Sequence, residues 1–286
     1  MRSALYVPGN RPELFDKALA GPADVVLLDL EDAVPVRDKD SARAEVAAWL
    51  RTVTVERPRI WVRVNGEDTE TDLRAVALPA VAAICLAKAE SPQRVRAAAA
   101  ILDECEPGPA RIEICPLLES AAAILDARAI AAAPRVARLQ LGEADLCADT
   151  GIEPGPDRAE LLAVRTQVVL ACAAAGIAPP LGPVSTDFRD LDALRASTEA
   201  LARLGFRGRA CIHPAQVPVV NAVFTPTEAE LARARDLVSR FDSAPGGIVF
   251  DERGRMADLA VVRRARRLLA DAQWAARPSQ RPTRPR

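Results

Sequence analysis

The chain has 286 residues, half of them hydrophobic and 27% charged, with a formal net charge of −1. That balance offers no general basic field to draw it to nucleic acid or to a membrane surface. No stretch approaches the roughly 18 uninterrupted apolar residues of a membrane-spanning helix. The N-terminus has no apolar run long enough for a signal-peptide core, so the cytoplasm is the expected location.

The six cysteines are scattered without a CxxC pair, so neither a zinc site nor a disulfide framework is indicated. Cys85, Cys115 and Cys211 lie inside apolar runs and read as small buried hydrophobes. A chain of this length holds either two small domains or one large α/β barrel.

In chain order, short Val/Ile/Leu-rich runs alternate with longer Ala/Leu/Arg segments. They predict strands at 4–7 (ALYV), 25–30 (VVLLDL), 59–64 (RIWVRV) and 82–88 (AAICLAK). Four more follow at 111–118 (RIEICPLL), 137–142 (ARLQLG), 178–184 (APPLGPV, the weakest) and 209–212 (RACI). Between them the pattern is helical. One helix opens at Ser91-Pro92 and another stops at Gly176, which are helix-start and helix-stop signals. Eight such alternations, strands apolar on both sides and no GxGxxG loop predict an α/β fold of the (β/α)8 TIM-barrel type over residues 1–225. Beyond it come a helix at 226–241, the Gly-rich stretch SAPGGIVFDERG and a helix at 258–272. These make a C-terminal helical extension, 226–275, docked on the barrel or on a neighbouring subunit. Residues 276–286, basic and Pro-rich, read as a disordered tail.

The active site of a barrel of this kind lies at the C-terminal ends of its strands. The second strand ends in Asp29, Glu31 and Asp32, the third in Arg63 and Asn65, and the fourth in Lys88 and Glu90. The fifth ends in Glu119, the sixth in Glu143 and Asp145. One such acid is explained by helix capping; charge at the same end of five successive strands calls for a shared use. Glu119 and Asp145, on adjacent strands, are a carboxylate pair suited to Mg2+, with the remaining positions left to water and substrate oxygens. Arg63 is either an ion-pair partner of the Asp29 cluster or a fork that grips a carboxylate or a developing enolate oxygen. Asp29, Glu31, Asp32 and Lys88 would then hold Arg63 and the metal-bound waters in place from behind. The sole histidine, His213, precedes a proline and reads as a structural hydrogen-bonder. No Ser/His/Asp arrangement or Cys/His pair supports hydrolase chemistry.

The segments RSALYVPGNRPELFDKA, DVVLLDLEDAV, RVNG, LAKAES, PLLES, LGEADLCADTG, CIHPAQVPVVN and GRMADLAVVRRA follow one another in an order and spacing that carry information together. They closely resemble the HpcH/HpaI aldolase/citrate lyase family, in particular its citrate lyase beta-subunit-like branch, from Arg2 to about residue 270. The resemblance implies a (β/α)8 barrel assembled as a homotrimer or homohexamer. It implies Mg2+-dependent, reversible carbon–carbon cleavage of a 3-hydroxyacyl-CoA thioester, such as citramalyl-, malyl- or citryl-CoA, to acetyl-CoA and a 2-oxo acid. On that pattern Glu119 and Asp145 are the metal ligands and Arg63 grips the substrate. Asp258 is the acid/base that a neighbouring subunit contributes. Arg2, Arg11 and Lys17 are candidates for holding CoA.

Three departures bear on substrate identity: Ala87 and Ala260 stand where proline is common in relatives, and ESAAA lacks the glycine usual after the metal-ligand glutamate. Two alternatives remain open. One is a CoA-independent class II pyruvate aldolase, although those relatives carry a histidine base where this chain has Asp32. The other is a non-catalytic subunit that binds acyl-CoA or acyl carrier protein.

Overall fold

The computed structural model describes residues 1–54, 59–106, 111–244, 249–250 and 256–275. Seven strands form one parallel sheet: β1 (Ser3–Pro8), β2 (Val25–Asp29), β3 (Ile60–Val64), β4 (Val81–Leu86), β5 (Glu113–Leu118), β6 (Gln140–Leu141) and β7 (Arg209–Cys211), in the order β6-β5-β4-β3-β2-β1-β7. Each strand is followed by helix, as parallel pairing requires of its crossovers. The helices are α1 (Phe15–Leu19), α2 (Lys39–Thr52), α3 (Thr69–Val76), α4 (Pro92–Cys105), α5 (Ala121–Leu125), α6 (Ala127–Ala131), α7 (Glu143–Thr150), α8 (Leu162–Ala175), α9 (Leu191–Leu204) and α10 (Gln216–Phe224).

Six of the predicted strands appear at nearly full length, but two regions differ. The run at 137–142 yields only the two residues of β6, and the weak run at 178–184 forms no strand. Instead Leu181 bridges Gln140 of β6, and Gly182 bridges Arg209 of β7, each by a single parallel pairing. The prolines of APPLGP explain the shortfall, since each removes a donor from the ladder. Residues 181–182 thus link the two ends of the sheet.

Alternation along the strands separates two cores. Val26 and Leu28, Ile60 and Val62, and Ile84 and Leu86 join the large cluster between sheet and helices. Val25 and Leu27, Trp61, Ala83 and Cys85, Cys115 and Leu117 point the other way, into a smaller cluster with Ala4, Leu181 and Ala210. Counting on by two along the inner face reaches Asp29, Arg63 and Glu119 at the carboxyl ends of their strands. The period that buries Trp61 also aims Arg63 inward.

Helix termini follow their sequence signals. Ser91 caps α4 through Arg94 N–H, ahead of Pro92, and Ser120 caps α5 through Ala123 N–H. Gly176 ends α8 at φ +69°, where a side chain would be strained.

After the sheet, α11 (Glu228–Ser243) packs against α12 (Leu259–Ala275), and β8 (Val249–Phe250) pairs antiparallel with β9 (Met256–Ala257). Both predicted helices of the extension are therefore present, each ending a few residues later than expected. Most of SAPGGIVFDERG and the expected disordered tail at 276–286 lie outside the described residues. The six cysteines are free thiols. Among the described residues no helix is long and apolar enough to cross a membrane.

Candidate active site

Register brings the first pair together: Asp29 of β2 and Arg63 of β3 are direct cross-strand neighbours. Arg63 Nε and Nη2 each donate to one oxygen of Asp29 at 2.6 Å, a bidentate fork. Its Nη1 lies 2.7 Å from Glu31 Oε2 and 3.2 Å from Asp32 Oδ2. The ring of Tyr6, from β1, lies 5.0 Å below the guanidinium carbon and adds a cation–π contact. Burial works against the guanidinium's charge, but Asp29 outweighs it and holds the Arg63 pKa above its ordinary value. Asp29 also accepts the N–H groups of Glu31 and Ala33, which fixes the turn after β2. Burial pushes the Glu31 carboxyl up to about 7, against the pull of Arg63, with Asp32 and Glu119 adding repulsion.

A second cluster forms on β4, β5 and α7. The carboxylate of Glu119, buried at the end of β5, accepts the backbone N–H of Lys88 on Oε1 at 2.7 Å. Lys88 Nζ lies 3.4 Å from that same oxygen and 3.3 Å from Asp145 Oδ1, so one ammonium spans the two acids. Burial raises the Glu119 pKa, opposed by both groups of Lys88. Glu119 Oε2 is buried and has no hydrogen-bond partner. Gly142 leaves it room: a Cβ there would stand 2.9 Å from Glu119 Cβ and 3.2 Å from Oε2.

Among the described residues no three His, Cys, Asp or Glu side chains form a ready-made metal cage. The donor set still fits Mg2+, which is usually held by one or two carboxylates and otherwise by water and substrate. An orphaned buried carboxylate oxygen beside a second, half-exposed acid suits such an ion. So does the local charge: the carboxylates of Asp29, Glu31, Asp32, Glu119 and Asp145 outnumber the two cations that touch them, Arg63 and Lys88.

Several supporting residues carried no sequence signal. Lys39, on α2, donates to Leu30 O, Glu31 O and Asn65 Oδ1 at 2.6–2.8 Å, binding the ends of β2 and β3. Asn65 in turn donates twice to Asp72, whose other oxygen takes Arg43. Gln140 donates to the Tyr6 hydroxyl across the sheet at 2.8 Å. Period-two alternation, which puts Tyr6 in phase with Ala4, was the one available clue to its inward position.

Other expected residues stand apart. Arg2 precedes β1, at the opposite end of the strands from Glu119, and is forked onto Asp24 with a further bond to Thr225. Arg11 follows β1 on the same end as the acids and pairs with Glu13, and Lys17 is exposed on α1. Glu143 is turned away to a bidentate pair with Arg165 of α8 and a contact with Arg158. His213 is exposed, stacks on Phe188 and accepts from Ala215 N–H, as a structural hydrogen-bonder would. Asp258, also exposed, caps α12 through the N–H groups of Ala260 and Val261.

A parallel sheet that gathers acids and a clamped guanidinium at the carboxyl ends of its strands has the layout of an α/β enzyme for anionic substrates. The profile of the HpcH/HpaI aldolase/citrate lyase family matches residues 2–214. The chain is 35% identical to a (3S)-malyl-CoA thioesterase of Cereibacter sphaeroides, covering 95% of this chain and 94% of that protein. It is 33% identical to citrate lyase subunit beta of Leuconostoc mesenteroides, covering 94% and 92% respectively. The crystal structure of CitE from Mycobacterium tuberculosis, in complex with magnesium, acetoacetate and coenzyme A, is 34% identical and superposes with a TM-score of 0.78 over 95% of this chain and 98% of that one. The chain belongs to the HpcH/HpaI aldolase/citrate lyase family and is a lyase of that family.

Proposed function

We propose that the protein is a Mg2+-dependent CoA-ester lyase. It would cleave, or form, a 3-hydroxyacyl-CoA thioester of the citramalyl-, malyl- or citryl-CoA type, giving acetyl-CoA and a 2-oxo acid. Its frame is a (β/α)8 barrel in which residues 181–182 serve as the reduced eighth stave. It works in the cytoplasm as a homotrimer or homohexamer. The observation that carries this reading is the orphaned oxygen of Glu119, set beside Asp145 and close to a guanidinium already held in place.

Glu119 and Asp145 would hold Mg2+, which when bound supplies Lewis acidity toward the oxygens of the 2-oxo acid portion. Asp29 fixes the plane of Arg63, so little reorganisation is needed when negative charge develops on a substrate oxygen. Of the three acids on Arg63, Asp32 is the most exposed, at 60%, and lies farthest, so it is the contact an entering carboxylate can replace. In cleavage a base takes the proton of the substrate 3-hydroxyl, the oxygen becomes the carbonyl of the departing 2-oxo acid, and the electrons of the broken carbon–carbon bond pass to the acetyl-CoA enolate. Asp258 of a neighbouring copy would then return a proton to the methyl carbon. Its exposure and its place ahead of α12 are compatible with reaching another subunit. Arg11 and Lys17, at the acid-bearing end of β1 and on α1, are the retained candidates for CoA. Arg2, committed to Asp24, is not.

The test is a panel of malyl-, citramalyl- and citryl-CoA with and without Mg2+, reading acetyl-CoA and free CoA separately. Mg2+-dependent acetyl-CoA release from at least one is expected; free CoA without acetyl-CoA would mark thioester hydrolysis instead. Cleavage of CoA-free hydroxy-oxo acids alone, or binding without turnover, sinks the proposal. Mixed oligomers of Asp258→Ala and Arg63→Ala subunits should regain part of the activity that each variant lacks alone.

A further inference from the structure

We propose that Lys88 is a built-in rival of the divalent cation: its ammonium and the ion compete for the same two carboxylates, and displacing it sets how tightly the ion is held. This rests on the reading of Glu119 and Asp145 as metal ligands.

The first ground is placement. At 3.4 and 3.3 Å from the two acids, Nζ touches both, yet each distance exceeds the 2.7–2.9 Å of a tight charge-assisted bond. The side chain is 38% exposed, so it has somewhere to go. The main chain, by contrast, is fixed. Lys88 adopts the left-handed conformation at φ +50°, its N–H is bonded to Glu119, and its carbonyl accepts from Glu90 N–H. The ammonium can leave while the backbone keeps its grip on Glu119.

Residue choice is the second ground. Of 38 basic residues only three are lysines: Lys17, Lys39 and Lys88. Arginine is this chain's default cation, and its planar fork suits one carboxylate taken sideways, as Arg63 takes Asp29. A compact ammonium suits single oxygens arriving from different directions. Lys39 meets three such oxygens, and Lys88 meets one from each acid. A divalent ion makes the same demand of the same two carboxylates. Once displaced, the Lys88 ammonium becomes a free cation beside the site, so metal uptake favours the anionic substrate.

The test uses Mn2+ as probe, titrated into intact wild-type, Lys88→Asn and Asp145→Asn protein and followed by electron paramagnetic resonance. Asparagine tolerates the left-handed backbone, so the exchange removes charge with little strain. Lys88→Asn should bind Mn2+ about tenfold more tightly, because two partly exposed ion contacts no longer have to be broken. In protein labelled at the lysine ε-carbon, the Lys88 signal should shift in step with Mg2+ occupancy while that of Lys17 stays still. Unchanged or weaker Mn2+ affinity in Lys88→Asn overturns the proposal and leaves the ligand assignment standing. So does a stationary Lys88 signal while an Asp145-dependent site fills. Mn2+ binding indifferent to Asp145→Asn overturns the ligand assignment, and this proposal with it.

Discussion

Two corners of the same mouth are built on opposite terms. Around Arg63 every guanidinium nitrogen has an acid: Asp29 takes two, and Glu31 and Asp32 share the third. Around Glu119 the accounts stay open, with one oxygen lacking a partner and the ammonium of Lys88 stretched between two acids. The closed corner sets geometry, because a saturated buried ion pair has nowhere else to turn. The open corner keeps capacity for a ligand, and burial already raises the cost of its negative charge. An enzyme site needs both, and here each is assigned to its own strands.

The contrast is broken most forcefully at Asp29. Asp29→Ala strands a buried guanidinium and should cost about 3–5 kcal/mol of stability in chemical denaturation. A loss below about 1 kcal/mol would mean that Glu31 and Asp32 suffice and that the corner is less finished than its geometry implies.

Glu119→Gln should do the reverse. Its amide oxygen can keep the Lys88 N–H, and the buried charge disappears, so stability should stay within about 1 kcal/mol of wild type or rise. Mn2+ affinity should nonetheless fall by about tenfold or more, since a neutral amide replaces a charged ligand. Strong destabilisation with unchanged Mn2+ binding would place Glu119 on the structural side of the comparison.

The pH-dependent effect belongs to Glu31. Its folded-state pKa of about 7 lies above the ordinary 4.5, so the folded protein holds this proton more tightly than the unfolded chain does. That contribution is complete below about pH 4.5 and is lost as pH rises through about 7. With chelator present, wild type should therefore lose stability relative to Glu31→Gln across this window in pH-resolved denaturation. A flat difference, or one that grows with pH, would show that Arg63 rather than burial governs Glu31.

Much of this is legible in the amino-acid sequence. Long strands such as 25–30 and 59–64 announce themselves through runs of Val, Ile and Leu, and the acids and arginine at their ends mark the mouth. Strand register, which makes Asp29 and Arg63 neighbours, is a tertiary fact that neither segment contains alone. Glu143 and Asp145 look equivalent in LGEADL, yet the half-turn of helix between them sends one to Arg165 and the other to Lys88. Arg2 was misleading for a related reason. Its position in sequence lies close to Arg11, but β1 runs between them, so they occupy opposite ends of the strands. Lys39 could not be found at all, because two of its three acceptors are backbone carbonyls.

The two-residue link at Leu181 and Gly182 has a consequence for motion. Here the sheet ends are sewn by few amides, Leu141, Leu181, Gly182 and Ala210, between strands of two and three residues. Long pairings such as β2–β3 open only with much of the molecule, whereas so short a stitch can part locally. These amides should lose protection first among the sheet residues in native-state hydrogen exchange. Gln140 sits on that stitch and tethers the Tyr6 hydroxyl, whose ring carries Arg63. The weakest seam of the sheet is thus joined, through two side chains, to the guanidinium of the site.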